Sequence, residues 1–225
     1  MLIIGHRGAK GEIKQNTLES IERAIDSGVD MVEFDVMTTK DNIPVLYHGL
    51  RFSAWGRKQL PEVMSYRLLK SLRPNIARLD EALEHCANKV GVDIDVKTRK
   101  VDAIIKTLQK YYKSPDDIDK FFLSSHMFCT LKRIQSRWPE ARIAAYSLNP
   151  FSWIVRNQRL NLFAVGFPRK QRLLIQPLAM RLGLKTYIYS VNDRASAEKY
   201  EKCGTWAIIT NEPSALIGKP KPRKR

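Results

Sequence analysis

The chain has 225 residues, 44% apolar and 28% charged, with 39 lysines and arginines against 23 aspartates and glutamates, a formal net charge of +16. That balance excludes a disordered tail or a fibrous repeat and leaves enough sequence for a sizeable core. No apolar run approaches the ~20 residues that cross a bilayer, and Met1–Ile4 is too short for a secretory leader, so the expectation is a soluble, cytoplasmic protein.

Cys86, Cys129 and Cys203 are odd in number, widely spaced and form no CxxC pair, so reduced thiols are expected rather than disulfides or a zinc knuckle. The positive charge favours polyanionic partners, either phosphate-bearing substrates or an anionic membrane surface at the periphery of which the protein would sit. Specific nucleic-acid recognition is not expected, because no helix-turn-helix or RNA-binding sheet motif is present. Residues 219–225 are Pro-interrupted and carry five basic side chains, which predicts a disordered tail that either aids solubility or contacts anionic surfaces.

In chain order, Leu2-Ile3-Ile4 reads as a strand. Thr17 starts a helix with Leu18, Ile21, Ala24 and Ile25 on one face, ended by Gly28. Strands are predicted over Met31–Val36 and Pro44–Tyr47, a helix over Leu79–Cys86 and a strand over Val90–Val96. Val101–Tyr111 reads as a helix, Phe121–Leu123 as a strand, Met127–Trp138 as a helix and Arg142–Tyr146 as a strand. A helix over Phe151–Arg159 precedes a strand over Leu162–Val165. A helix over Lys170–Leu182 follows, with Pro177 expected to kink it. Lys185–Val191 is the next strand, Ala195–Lys202 a helix ending at Gly204, and Trp206–Thr210 the last strand. Eight main strands alternating with helices predict a parallel (β/α)8 barrel with a short or absent last helix, over residues 1–218, with 50–77 as an irregular insertion over the barrel end. An open doubly wound sheet has the same local pattern, but no Gly-rich phosphate loop follows any strand.

Polar residues collect at predicted strand ends, where a barrel carries its site. His6 and Arg7 follow the first strand, and His48 follows Pro44–Tyr47. Glu33 and Asp35 share one strand face, as do Asp93 and Asp95, with Lys97 beyond them. Carboxylates that converge in this way need a counter-charge, and a hard divalent cation with oxygen ligands supplies one. With histidines for proton transfer and Arg7 and Lys97 for anions, the set suits metal-assisted cleavage of a phosphate ester. His85 and His126 read as structural.

His6-Arg7-Gly8, Gln15-Asn16-Thr17, Glu33-Phe34-Asp35-Val36, the segment Asp41–Gly49 with Pro44-Val45 and His48, Asp95-Val96-Lys97, Tyr189-Ser190-Val191-Asn192 and Ile208–Pro213 follow one another in an order that resembles the glycerophosphodiester phosphodiesterases. The resemblance spans nearly the whole chain and implies a (β/α)8 barrel. It further implies one divalent cation, Mg²⁺ or Ca²⁺, held by Glu33, Asp35 and Asp95. His6 and His48 would be the acid–base pair, and Arg7 and Lys97 the phosphate contacts. Four positions depart from the family pattern. Gln15 stands for a Glu, Gly49 for the Asp after the second His, Asp95 for a Glu and Tyr189 for a Trp. The expected substrate is a small glycerophosphodiester or a lysolipid. A lysophospholipase D or sphingomyelinase D-like activity on membrane lipids is the alternative, favoured by the charge and by Leu50, Phe52 and Trp55 after His48. A catalytically weak barrel that binds anionic phosphodiesters is a third.

Overall fold

A computed structural model describes residues 1–49, 52–54, 57–113, 115–146 and 159–218. The elements run β1 (Leu2–His6), α1 (Leu18–Ser27), β2 (Met31–Thr38), β3 (Pro44–Leu46), β4 (Phe52–Ala54), β5 (Arg57–Gln59), α2 (Tyr66–Leu72), α3 (Leu79–Cys86) and β6 (Gly91–Val96). They continue with α4 (Asp102–Tyr111), β7 (Phe121–Ser125), α5 (Phe128–Arg137), β8 (Ile143–Tyr146), β9 (Leu162–Pro168), α6 (Arg172–Arg181), β10 (Lys185–Tyr189), α7 (Arg194–Lys202), β11 (Ala207–Thr210) and a short last helix, α8 (Pro213–Ile217).

Strands β1, β2, β6, β7, β8, β9, β10 and β11 pair in that order, all parallel, and β1 pairs with both β2 and β11. The sheet is therefore a closed eight-stranded barrel, as expected. β3 adds to β2 in antiparallel sense, with Val36 opposite Leu46, and carries the chain toward His48. The stretch expected to be irregular holds the β4–β5 hairpin and α2. Residues 151–158 of the helix expected over Phe151–Arg159, the apolar residues Leu50 and Trp55 and the basic tail lie outside the described residues. Phe52 lies in β4. α6 includes Pro177 within one helical span. Among the described residues no helix is long and apolar enough to cross a membrane.

Local chemistry sets the ends of α1. The Thr17 hydroxyl accepts the Ser20 N–H, and Gly28, at φ 86°, closes the C-terminus in a left-handed conformation. Ile21 and Ala24 face inward and are fully buried between helix and sheet, the isoleucine contributing roughly 1.5–3 kcal/mol. Inside the barrel a second cluster, including Ile4, Met31, Phe122, Tyr187 and Ile209, fills the floor. Gly166 makes room for the ring of Tyr187, since a Cβ there would lie 2.3 Å from it. Side chains alternate along each strand, so Met31, Glu33 and Asp35 are successive steps on the inner face of β2. The apolar floor thus gives way to carboxylates toward the carboxyl ends of the strands.

Candidate active site

Register brings the acidic residues together. Glu33 lies opposite Asp93 and Asp35 opposite Asp95 across β2 and β6, while His6 lies opposite Glu33 across β1 and β2. The chain then turns sharply after β1, with Arg7 at φ 50° and Gly8 at φ 80°. A Cβ on residue 8 would sit 2.4 Å from the backbone carbon and oxygen of Ser20, so the turn requires glycine. This turn aims the Arg7 backbone N–H at Glu33 Oε2, 2.8 Å away. The Arg7 guanidinium packs on Asp35, Nε to Oδ2 2.8 Å, as a charge contact rather than an aligned hydrogen bond. Its Nη1 donates to Gln15 Oε1 at 2.6 Å.

Asp35 is fully buried and is gripped from several sides. Asn16 donates from Nδ2 to Asp35 Oδ2 (2.9 Å) and accepts the Asp35 backbone N–H (3.1 Å). His48 Nδ1 stands 3.2 Å from the same Oδ2, and Lys97 Nζ 3.2 Å from Oδ1. Lys97 also donates to Asp95 Oδ2 at 2.5 Å and to the Tyr146 hydroxyl, which donates in turn to Asp95 Oδ2 at 2.8 Å. Deeper in the barrel, Ser124 donates to Asp93 Oδ1 at 2.6 Å. His6 Nδ1 donates to Asn211 Oδ1 at 2.6 Å, and the Asn211 backbone N–H is held by Asn192 Oδ1 at 2.9 Å. That contact places the His6 proton on Nδ1 and leaves Nε2 as the acceptor, 3.9 Å from Glu33 Oε2.

These surroundings set the protonation states. Burial, with the Arg7 charge second, pulls His6 down to about 4, so the ring is neutral at pH 7. Burial and the repulsion of Asp35, Asp95 and Asp93 push Glu33 well above the carboxylate range. Burial likewise raises Asp93, and raises Asp95 to about 6 despite Lys97. Burial also pushes on Asp35, but the His48 hydrogen bond and the charges of Lys97 and Arg7 outweigh it, and Asp35 stays ionised. Burial disfavours the Lys97 ammonium, yet Asp95 and Asp35 more than compensate and raise it.

Four carboxyl groups thus face two fixed cations, Arg7 and Lys97. Glu33, Asp35 and Asp95 each offer an oxygen within 4.8 Å of the others, the one such group of potential metal ligands among the described residues. A hard divalent cation takes oxygens at ~2.0–2.6 Å, so ligands of one ion stand up to ~5 Å apart, and the spacing fits. Buried Asp95 Oδ1 has no hydrogen-bond partner, and Asp35 Oδ1 has only the Lys97 ammonium at 3.2 Å, so both oxygens have a lone pair left for a cation. The donor set is all oxygen and suits Mg²⁺ or Ca²⁺ rather than zinc.

The site opens into two cavities. One, of about 270 Å³, is lined by His6, Arg7, Glu33, Asp95, Lys97 and the rings of Tyr146, Tyr187 and Tyr189, among others. The other, of about 560 Å³, is lined by His48 together with Gln15 and Asn16. The Arg7–Gln15 and His48–Asp35 contacts link them. All seven residues singled out from the sequence therefore meet at one end of the barrel. His85 is apart, its Nδ1 on the Glu81 carbonyl of its own helix at 3.0 Å. His126, expected to be structural, sits at the rim with its Nδ1 3.3 Å from the Tyr146 hydroxyl. Sequence reasoning assigned no role to Asn16, Asn211 or Tyr146. The first two stood inside the quoted motifs, and Tyr146 ends a strand, the position where such residues occur.

Comparison with known proteins agrees with this geometry. A glycerophosphodiester phosphodiesterase of Caldanaerobacter subterraneus subsp. tengcongensis is 25% identical over 236 residues, covering 96% of each chain. Among solved structures, a phosphodiesterase of Oleispira antarctica in complex with the product sn-glycerol-3-phosphate superposes with a TM-score of 0.83 at 23% identity, over 97% of this chain and 96% of that one. The Thermotoga maritima glycerophosphodiester phosphodiesterase gives 0.79 at 20% identity, over 97% of both. The pattern of the Glycerophosphoryl diester phosphodiesterase family matches residues 6–215, from the first histidine of the site to the last helix, and the chain belongs to that family.

Proposed function

We propose that the chain is a metal-dependent phosphodiesterase that hydrolyses glycerophosphodiesters to glycerol 3-phosphate and an alcohol. The observation that carries this reading is the convergence of Glu33, Asp35 and Asp95, with Asp95 Oδ1 buried and unpartnered, beside two histidines and two cations. Family membership and the product held by the Oleispira relative support it. Glu33, Asp35 and Asp95 would hold one Mg²⁺ or Ca²⁺, which supplies Lewis-acid neutralisation of the phosphoryl oxygens.

The chain's own groups do the rest. Arg7 and Lys97 face the phosphate and stabilise negative charge as it develops. His6, neutral and with its proton fixed on Nδ1 by Asn211, takes the proton of the attacking hydroxyl at Nε2. His48, oriented by Asp35 through Nδ1, gives a proton to the departing alkoxide. The new P–O bond forms to the attacking oxygen, the P–O bond to the alcohol breaks, and one proton moves at each end. Either water or the neighbouring glycerol hydroxyl can attack; the second route passes through a cyclic phosphate that water then opens.

Release of glycerol 3-phosphate from glycerophosphocholine, followed by a coupled assay, tests the reading. His6→Ala and His48→Ala should each lower turnover by ~10² or more. The double variant should lose less than the product of the two, because the groups act as a unit. His85→Ala serves as the unaffected control. Near-normal turnover in a folded His6→Ala or His48→Ala protein would favour a barrel that binds phosphodiesters, or a different catalytic set.

One observation favours a second reading, hydrolysis of membrane-borne lysolipids in the manner of a lysophospholipase D or sphingomyelinase D. Leu173 and Leu174 are 78% and 56% exposed at the start of α6, which follows β9 at the same barrel end as the site, and Arg169, Lys170 and Arg172 flank them. Apolar tips ringed by cations suit an anionic lipid surface. Turnover of lysophosphatidylcholine on anionic vesicles that is lost in Leu173→Asp would support it, and identical turnover in the variant would contradict it.

A further inference from the structure

The larger cavity is not needed for the chemistry just described. It opens beside His48, whose ring is exposed, and is formed by the segment before α1, the end of β3 and the turn after α2. Its volume, about 560 Å³, is twice that of the cavity that holds the carboxylates and tyrosines. A diester has two arms, and only one of them is the glycerol of the product. The smaller, tyrosine-lined space suits glycerol. The other arm leaves from the phosphorus on the side of His48, where the second cavity begins.

The lining of that cavity is selective. Lys14 and Arg73, both exposed, bring two positive charges, and no aspartate or glutamate lines the cavity among the described residues. Gln15, in the same lining, brings no charge. Its carbonyl oxygen is engaged by Arg7, so its NH₂ is the group left to donate. Tyr47 is the aromatic residue of the lining, and the Arg73 guanidinium lies over its ring, 5.3 Å from the centroid. The ring face that a quaternary ammonium would seek is therefore already occupied by a cation. A trimethylammonium arm would meet two like charges, whereas a negatively charged arm would meet opposite ones.

We propose that this cavity seats the alcohol arm of the diester and selects arms that carry negative charge, such as a phosphorylated polyol, over quaternary-ammonium arms. The inference rests on the phosphodiesterase reading above and names the substrate class of that same site.

The test compares kcat/KM for two soluble substrates, glycerophosphocholine and glycerophosphoinositol 4-phosphate. Wild-type protein should prefer the second. Reversing one exposed charge beside a bound ion should move the ratio by about tenfold, so Lys14→Glu and Arg73→Glu should each lower kcat/KM for the anionic substrate and raise it for the choline substrate. Lys14 is exposed and its side chain has no hydrogen bond or ion pair among the described residues, so it carries the test even if Arg73→Glu disturbs Tyr47. Raising the ionic strength should erode the wild-type preference, because both cations are exposed. Lys110→Glu, on the exposed side of α4, should leave the ratio unchanged. Turnover of both substrates with a ratio that stays within twofold in every variant would overturn the inference alone, as would a wild-type preference for choline. No turnover of either substrate would overturn the phosphodiesterase reading, and the inference with it.

Discussion

Replacing Asn16 separates two demands that the site places on one residue, a left-handed backbone and a two-point grip on Asp35. Its φ is 55°, its Nδ2 donates to Asp35 Oδ2 at 2.9 Å, and its Oδ1 accepts the Asp35 N–H at 3.1 Å, all out of contact with water. Asn16→Gly keeps the backbone at ease and removes both bonds. The bond to the carboxylate contributes about 1.5–3 kcal/mol and the neutral one about 0.5–1.5, so the loss should be about 2–4.5 kcal/mol. Asn16→Ala loses the same bonds and adds about 1–2 kcal/mol for a Cβ in the left-handed region. Glycine's greater freedom in the unfolded chain takes back roughly 0.5–1 kcal/mol of that difference, so alanine should be the less stable by about 1 kcal/mol. Urea denaturation with an unchanged slope reads both values. Asp35 still has Arg7, Lys97 and His48, so turnover should fall by only about 10–100-fold, the range for residues that orient a metal ligand. Both variants within about 0.5 kcal/mol of wild type, or alanine more stable than glycine, would refute the reasoning.

Gly8→Ala should destabilise by more than the left-handed penalty of about 1–2 kcal/mol alone, because its Cβ would also lie 2.4 Å from the Ser20 backbone; an unchanged thermal midpoint would contradict this. Cation binding should release protons. Without the ion, burial and neighbouring carboxylates push Asp95 up to about 6 and Glu33 well above the carboxylate range, so the ion must displace their protons, and affinity should fall as pH drops through 6. Calorimetry in buffers of different ionisation enthalpy reads the released protons directly, and an affinity constant from pH 5 to 8 would be the contrary result. Asn211→Ala should lower kcat more than it raises KM, since it frees the His6 ring without touching the cavity that takes the second arm.

Alternation along strands made the paired positions Glu33/Asp35 and Asp93/Asp95 legible, because period two puts each pair on one face whatever the tertiary fold. Depth was not legible. Asp93 and Asp95 share that face, yet Asp93 lies one layer lower, spent on Ser124, while Asp95 reaches Lys97 and Tyr146. Barrel closure was also hidden in the local pattern. An open sheet and a barrel have the same strands and helices, and the pairing of β1 with both β2 and β11 is a matter of register and twist. Asn211 contacts His6 across 205 positions, and Tyr146 contacts Asp95 across 51, distances over which spacing carries no signal. Residues 50–77 lack a sustained period because their elements are three to seven residues long, too short to repeat one.

The central claim is that one divalent cation, held by Glu33, Asp35 and Asp95, is required for cleavage of a glycerophosphodiester. The direct measurement is glycerol 3-phosphate release by EDTA-stripped protein during titration with Mg²⁺ or Ca²⁺, with bound metal counted in parallel. Activity should return in step with one ion per chain, and Glu33→Gln and Asp95→Asn, although folded, should neither retain the ion nor recover. Full turnover by the stripped protein, or undiminished metal binding by both variants, would contradict it.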